Sequence, residues 1–107
     1  MIVRTWRGRA KAANADAYQR FVTTQVFAKL PALPGHRGAR LLRRTIGDEV
    51  EFVAMTTWDS FEAIKAFAGA DPTRAVVESE ARRLLSTFDE TVAHYELAHT
   101  TSPEASS

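Results

Sequence analysis

The stretch that decides the fold is EFVAMTTWDSFEAIKAF, residues 51–67. Its first half is rich in β-branched and apolar residues and indicates a strand that continues without a loop into a helix. The apolar residues of the second half recur at helical spacing, and they are Phe61, Ile64 and Phe67. Asp59 and Glu62 have the spacing of a capping box, so we predict that Asp59 caps this helix. Trp58 stands at the joint, where it either packs the joint or lines a ligand pocket.

Upstream of this stretch, the sequence predicts a β-hairpin. Residues 37–46 and 49–58 read as two strands, and Gly47-Asp48 between them fits a two-residue turn in which glycine supplies the positive φ. Residues 2–9 also alternate and predict the first strand of the chain. The hairpin and the first strand together give three neighbouring strands with a helix between the first two.

The first helix is predicted to begin at Asn14, a good N-cap residue, and to end at the prolines near residue 31. Its apolar residues share one face, and they are Tyr18, Phe21, Val22, Val26 and Leu30. A further helix is predicted to begin at Asp71-Pro72, because proline is favoured at the first helical position. Residues 91–98 read as the last strand.

The predicted element order is β-α-β-β-α-β, with the second helical region in two pieces. This order is typical of an α+β, ferredoxin-like fold, a four-stranded antiparallel sheet in the order 4-1-3-2 with its helices on one face. The other face then has no cover within one chain, so we expect a second copy to cover it in a homodimer. We expect one domain over residues 1–99 and a flexible, polar tail over residues 100–107.

Composition narrows the possible functions. The chain has 107 residues, no cysteine and a net charge of +1, which excludes thiolate chemistry and argues against a nucleic-acid partner. No apolar run is long enough to cross a membrane, and no signal peptide is evident, so we expect a cytoplasmic protein without a membrane partner. The three histidines have no metal-ligand spacing, and no phosphate or dinucleotide loop is present, so we expect no cofactor.

Four segments resemble one known family, and they are IVRTWRGR, LPGHRGARLLRR, EVEFVAMTTWDSFEAIKAFAG and HYEL. They are similar to the antibiotic biosynthesis monooxygenase family of dimeric α+β barrels, over residues 2–98. The resemblance implies that fold and a ligand pocket, between each sheet and its own helices or between the two sheets of the dimer. The family includes cofactor-independent oxygenases of polyphenolic aromatics, haem-degrading oxygenases and proteins without known activity.

The haem-degrading branch of that family fits this sequence poorly. The resemblance places Phe67 where that branch has a tryptophan, Val77 where it has the iron-binding histidine, and Thr5 near its first-strand asparagine. Without an axial histidine, haem iron has no ligand at that place. We therefore expect no haem degradation.

The candidate site lies on the first and last strands. Arg4 and Trp6 share one face of the first strand, and Val92, His94 and Glu96 share one face of the last. Because buried charges must be paired, we expect this mixed face to point to a partner sheet or a cavity. The opposite face would then pack on the helices, and its residues are Val3, Thr5, Tyr95 and Leu97.

These side chains suggest roles in a cofactor-free oxygenase. Arg4 would stabilise a phenolate or enolate, and His94 would accept the phenolic proton. Ring stacking on a planar substrate is expected of Trp6 and Phe52, with an edge of Trp58 and the carboxylate of Glu96 nearby. The alternative is an Arg4–Glu96 ion pair with His94 in a hydrogen bond at the dimer interface.

Two functional hypotheses follow. The first is a homodimeric, cofactor-independent monooxygenase-like enzyme that acts on an aromatic or quinol-type small molecule. The second is a non-catalytic small-molecule-binding or stress-response accessory protein on the same fold.

Overall fold

Three long strands form the centre of an antiparallel sheet, as the alternating segments predict. The computed structural model describes residues 1–101 and contains β1 (Ile2–Lys11), β2 (His36–Ile46) and β3 (Glu49–Trp58). Antiparallel pairs join β2 to β3 and β3 to β1. The predicted two-residue turn closes the hairpin, with Gly47 at a φ of 62°. Residues 102–107, most of the predicted tail, lie outside the described residues.

The last strand is shorter than predicted, and a further short strand precedes it. β5 (Ala93–Glu96) lies within the predicted residues 91–98, whereas β4 (Thr87–Phe88) lies before them, and both pair with β1. Between them the chain leaves the sheet and pairs with residues 73–75, where Ala75 N donates to Glu90 O (3.0 Å) and Val92 N donates to Thr73 O (2.8 Å). The described sheet therefore has five strands instead of four. The order of the predicted fold is confirmed, with β3 and the last strands on either side of β1.

The helices lie on one face of the sheet, as predicted. α1 (Ala12–Phe21) continues through a π-helical turn over residues 22–26 and a 3₁₀ turn over residues 27–32. α2 (Phe61–Ala68) follows β3, and α3 (Ser79–Leu84) lies next to α1. No helix within residues 1–101 is long and apolar enough to cross a membrane.

The predicted starts of all three helices are wrong. Lys11 occupies the N-cap of α1, which leaves Asn14 inside the first turn with its Nδ2 atom 3.5 Å from Leu84 O. Ser60 caps α2, because its Oγ atom accepts from Ala63 N (3.3 Å), whereas the Asp59 carboxylate is bound to Arg37. The third helix does not begin at Pro72, since residues 71–78 are irregular and α3 starts at Ser79.

The prediction of which sheet face meets the helices is also wrong. The β1–β3 register sets Arg4 opposite Thr56 and Trp6 opposite Ala54, and these four side chains face the helices. His94 and Arg4 are opposite each other in the β1–β5 pair, so the mixed polar face is the covered one. A charged side chain is tolerated there because backbone carbonyl groups of residues 71–78 accept its hydrogen bonds.

The other face of the sheet, which we call the open face, has no helix over it. Its half near the end of β3 is apolar, and its residues there include Val3, Leu42, Val53, Met55 and Tyr95. Leu42 is 49% and Tyr95 60% exposed. Its other half is charged, with Glu51 bound to Arg44 (2.8 Å) and Arg9 (3.5 Å).

Candidate functional site

A cavity lies between the sheet and its helices. It is partly open to solvent, and the volume in it that the centre of a water molecule can occupy is about 80 Å³. The sheet contributes Arg4, Trp6, Ala54, Thr56 and Val92 to its lining. The first helix and its two terminal turns contribute Tyr18, Phe21, Val22, Val26, Phe27 and Leu30. The remaining wall consists of Phe67, Val76, Val77, Glu78 and Ala81. Most of this lining is apolar, which suits a flat, hydrophobic ligand.

Arg4 is the cation of this cavity, and only 4% of its surface is exposed. Its Nη1 atom donates to Pro72 O, and its Nη2 atom donates to Arg74 O at 3.0 Å. Nη1 also lies 3.1 Å from His94 Nε2. Within residues 1–101 no carboxylate forms an ion pair with Arg4, so the expected Arg4–Glu96 bridge is wrong.

The partners of Arg4 leave its positive charge without a counter-charge. Two carbonyl oxygens and an imidazole satisfy hydrogen bonds, but they carry no net negative charge. Burial accordingly lowers the pKa of Arg4 from its ordinary value. A buried cation of this kind favours a ligand that brings a negative charge to it. Its two carbonyl contacts also hold the irregular segment 71–78 against the cavity.

His94 stands next to Arg4 but is not among the residues that line the cavity. Because an arginine N–H can only donate, the Nε2 atom of His94 must accept, which places the ring proton on Nδ1. Burial, and then the charge of Arg4, lower the pKa of His94 below its ordinary value. The imidazole is therefore neutral at neutral pH. Its ring also meets the edge of the Phe61 ring, at 5.2 Å between centroids.

Trp6 lines the cavity, as its predicted role in stacking requires. Its Nε1 atom donates to Asp89 O, and its ring lies 6.0 Å from that of Phe88. These contacts fix the indole at the point where the chain leaves the sheet between β4 and β5. The face of the ring is thereby available to the cavity.

Trp58 packs the joint between β3 and α2. It is 0% exposed, its Nε1 atom donates to Thr56 Oγ1 (2.8 Å), and its ring stacks on Phe67 at 5.5 Å. Its other neighbours in the core are Leu30 and Ile64. Trp58 is not among the lining residues, so the packing interpretation of the joint is the one that its contacts support.

Phe52 and Glu96 also lie outside the cavity lining. Phe52 is buried in the core, with its ring 4.8 Å from that of Tyr18. Glu96 is exposed at the end of β5, opposite Ile2. The structure thus brings Arg4, Trp6 and His94 together and leaves Phe52, Trp58 and Glu96 apart from them.

Most lining residues were not among the candidate site residues of the sequence, and Tyr18, Phe67 and Glu78 are three of them. Tyr18 and Phe67 belong to apolar helix faces, and Glu78 precedes α3. A tyrosine tip on an otherwise apolar face was the one signal that could have marked Tyr18. Burial raises the pKa of the Tyr18 hydroxyl well above its ordinary value, so it stays protonated.

No protein-family model matches the sequence, and no curated protein matches it either. Solved structures do match. A Bacillus cereus protein assigned to the antibiotic biosynthesis monooxygenases superposes with a TM-score of 0.69 at 17% identity, over 97% of both chains. The ActVA-Orf6 monooxygenase of Streptomyces coelicolor, solved with nanaomycin D, has a TM-score of 0.62 at 17% identity, over 96% of this chain and 92% of that one.

MhuD, a haem degrader from Mycobacterium tuberculosis, is similar as well. A single-residue mutant of MhuD, solved with two manganese protoporphyrins in each active site, has a TM-score of 0.67 at 22% identity, over 96% of this chain and all of that one. The chain has the fold of these monooxygenase-type proteins. The resemblance read from the sequence is confirmed at the level of this monooxygenase-type fold.

Haem does not fit the cavity of this chain. Within the described residues the cavity lining contains no histidine, cysteine or methionine, and Val77 forms part of its wall. Tyr18 is the one lining side chain of a type that can bind haem iron, but a tyrosine binds iron as its anion. Since burial raises the pKa of Tyr18, it is a poor donor for that purpose.

Proposed function

We propose that this protein is a cofactor-independent, monooxygenase-like enzyme that binds an aromatic or quinol-type small molecule between the sheet and its helices. The observation that carries the proposal is Arg4, a buried cation without an ion-pair partner that lines a mostly apolar cavity. A phenolate or enolate supplies both the flat apolar body and the negative charge that this site lacks. Other chains with this fold were solved with nanaomycin D and with manganese protoporphyrin, which supports a small-molecule ligand.

The chemistry needs no external reductant. A phenol loses its proton to a base, and the resulting anion passes an electron to dioxygen. The substrate radical and superoxide then combine in a new C–O bond, and the peroxide takes up a proton. Cleavage of its O–O bond, with loss of the ring C–H proton, releases water and leaves a carbonyl group. One phenol and one O₂ thus give one quinone and one H₂O, with all electrons from the substrate.

Arg4 has the central part in this scheme, because it stabilises the anion that reacts with oxygen. Trp6 offers an indole face against which the ring of the substrate can stack. The predicted role of His94 as the base requires its Nε2 atom to exchange Arg4 for the substrate hydroxyl. Otherwise His94 is a positioning residue that orients Arg4 through the 3.1 Å contact.

His94→Gln separates these two roles. The glutamine oxygen still accepts from Arg4, but it takes no proton near neutral pH. Loss of turnover with unchanged binding supports the role as base, whereas turnover that survives in His94→Gln and is lost in His94→Ala supports positioning. The pH profile of turnover gives the second readout, since only a base shapes its acidic limb.

The proposed function is tested by oxygen uptake with anthrone and a dihydroxynaphthalene as probes. We expect uptake by the wild type and a loss of at least about tenfold in Arg4→Met, because the substrate anion loses its stabilising charge. Arg20→Met is the matched control, since Arg20 is exposed on α1, away from the cavity lining. Equal uptake by the wild type and Arg4→Met would contradict the proposal.

The second candidate is a non-catalytic binder on the same fold. The observation that favours it is the lining itself, because within residues 1–101 the cavity wall has one carboxylate, Glu78, and no histidine. A binder would be protected by the probes against thermal unfolding without any oxygen uptake. That result would replace the first candidate with the second.

We also propose that the protein is a homodimer through the open face. The exposed apolar half, with Leu42 on one outer strand and Tyr95 on the other, is a surface that a second copy would remove from water. Leu42→Asp is expected to shift the mass in solution from dimer to monomer. Ala28→Asp, on the exposed outside of the first helix, is the control that should leave the mass unchanged. A wild-type monomer at all concentrations would contradict this part of the proposal.

A further inference from the structure

The polar groups of the cavity wall differ in how fully their hydrogen bonds are satisfied. The indole N–H of Trp6 donates to Asp89 O, and the hydroxyl of Thr56 accepts from Trp58. Arg4 donates to three acceptors. Tyr18 is the buried exception, because no hydrogen bond within the described residues involves its hydroxyl. Glu78, the other polar lining residue without a side-chain hydrogen bond, is exposed.

The Tyr18 hydroxyl is deep in the protein but not sealed. Tyr18 is only 1% exposed. Within residues 1–101, however, the one fully buried side-chain nitrogen or oxygen without a hydrogen-bond partner is His36 Nδ1, so the Tyr18 hydroxyl retains some accessible surface. The remaining accessible surface of the hydroxyl therefore opens into the cavity that Tyr18 lines. Buried hydroxyl groups are nearly always hydrogen-bonded. An open one in a ligand-sized cavity points to a partner on the ligand.

We propose that the Tyr18 hydroxyl donates a hydrogen bond to an oxygen of the ligand and so determines which aromatic anions bind. The proposal rests on the proposed function, since it assumes that the anionic end of the ligand contacts Arg4. The substrate class that follows is a flat polycyclic anion with a second, carbonyl-type oxygen away from its charge, such as a hydroxyquinone.

The positions of the two residues set the separation of these two oxygens. Arg4 lies opposite Thr56, whereas the Tyr18 ring packs on Phe52, which lies opposite Gly8. Arg4 and Gly8 are four residues apart on β1, or about 13 Å at strand spacing. Between them lies the row of Trp6 and Ala54, where the small alanine leaves room over the sheet. Two to three fused rings are shorter than this spacing, and we therefore take them as the length of the ligand.

The hydroxyl is suited to the part of donor. Because burial keeps its pKa raised, Tyr18 retains its proton and offers a neutral O–H group. A site that holds such a donor discriminates strongly against a ligand that lacks the matching acceptor, because the buried group is then left unpaired. An edge-to-face contact with Phe52 holds the ring, so the hydroxyl is positioned before the ligand arrives.

Two probes of one shape test this inference, anthraquinone carboxylate and anthracene carboxylate. Both are three-ring anions whose carboxylate can bind Arg4, and only the first has carbonyl oxygens that can accept a hydrogen bond from Tyr18. We expect Tyr18→Phe to weaken binding of the anthraquinone about three- to tenfold and that of the anthracene less than about twofold, by titration calorimetry. We also expect the melting temperature of Tyr18→Phe to equal or exceed that of the wild type, because no hydrogen bond within the protein is lost.

Tyr95→Phe, on the open face, is the matched control, and it should change neither affinity. Equal effects of Tyr18→Phe on both probes, or no effect on either, would overturn the role of Tyr18 and leave the proposed function intact. If Arg4→Met leaves both affinities unchanged, the proposed location of the anion fails instead. No binding of either probe to the wild type would overturn both proposals.

Discussion

The helix–sheet interface has a closely packed end around Trp58, which we call the solid end, and an end around the cavity, which we call the hollow end. At the solid end Trp58 is fully buried, stacks on Phe67 and packs on Ile64, and its indole N–H donates to a neighbouring threonine. At the hollow end Arg4 and Tyr18 are almost as deeply buried, but they border the cavity. One region has every polar atom of its large side chain satisfied, while the other holds a cation without a counter-charge and a hydroxyl without a partner.

This difference separates stability from function within one core. Filled space and satisfied hydrogen bonds contribute to the free energy of unfolding in the absence of any ligand. Empty space and unsatisfied polar groups lower that free energy unless a ligand completes them. We therefore expect substitutions at the solid end to act on folding and those at the hollow end to act on binding.

The largest effect is expected for Trp58→Ala. Removing a buried indole leaves a cavity and costs about 3–5 kcal/mol of unfolding free energy. Trp6→Ala is the matched variant at the hollow end, and it should cost clearly less because its ring already borders empty space. Urea denaturation of the two variants gives the comparison. Equal losses would mean that the cavity is not a real void in the packing.

The next effect is expected for Gly35→Ala, which tests how tightly α2 sits on the solid end. Gly35 has a φ of 85°, and an added Cβ would lie 2.6 Å from Ala63 Cβ. Gly69→Ala shares the strained φ, 91°, but meets no atom within 4 Å. We expect about 1–2 kcal/mol of destabilisation from φ alone in Gly69→Ala, and about 1–3 kcal/mol more in Gly35→Ala from overpacking. If thermal denaturation gives the same loss of unfolding free energy for both variants, α2 moves aside freely to make room for the added Cβ.

Ala54→Leu tests the hollow end by filling the cavity instead of enlarging it. Ala54 lies on the sheet floor, between the rows of Arg4 and Phe52. A larger side chain should fill the cavity, change stability by less than about 1.5 kcal/mol and abolish binding of anthraquinone carboxylate. Calorimetry and thermal denaturation on the same sample measure both. A variant that is strongly destabilised, or that still binds, would contradict a void at this place.

The smallest effect is expected from pH, through His36 at the solid end. Its ring meets Trp58 at 5.0 Å, and burial lowers the pKa of His36 in the folded state. Below a pH of about 6.5 the unfolded chain takes up a proton that the folded chain resists. Stability should therefore be constant above that pH and fall as the pH drops from about 6.5 towards the folded pKa.

His36→Phe keeps an aromatic ring against Trp58 and should reduce the slope of stability against pH. The slope that remains is assigned to His94, whose pKa is also lowered by burial and by Arg4. His99→Phe, at an exposed position near the end of the described chain, is the control that should leave the slope unchanged. A slope in His36→Phe equal to that of the wild type would contradict the role of His36.

The long elements of the fold could be predicted because each follows a local pattern. Alternation indicated β1 and the hairpin, and the order of elements indicated the antiparallel sheet with its helices on one side. Local rules could not decide between Asp59 and Ser60 as the cap of α2, because both are good caps. Arg37 decides it by binding the Asp59 carboxylate at 2.7 Å in a two-point ion pair.

The site could be predicted only in part, for a physical reason. Alternation groups Arg4 with Trp6 but does not say which face the helices cover. A buried arginine was expected to need an acidic partner, whereas its partners are carbonyl groups about 70 residues further along the chain. That segment has no regular pattern, so nothing in its sequence indicates that it reaches Arg4. The same contacts explain why the polar face could be the covered one.

A crystal structure of the protein with anthraquinone carboxylate tests the central claim most directly, because it shows on which side of the sheet a ligand binds. We predict the rings between the sheet and α1, with the carboxylate on Arg4 and a quinone oxygen within hydrogen-bonding distance of Tyr18. Rings bound on the open face, against Leu42 and Tyr95, would contradict the account.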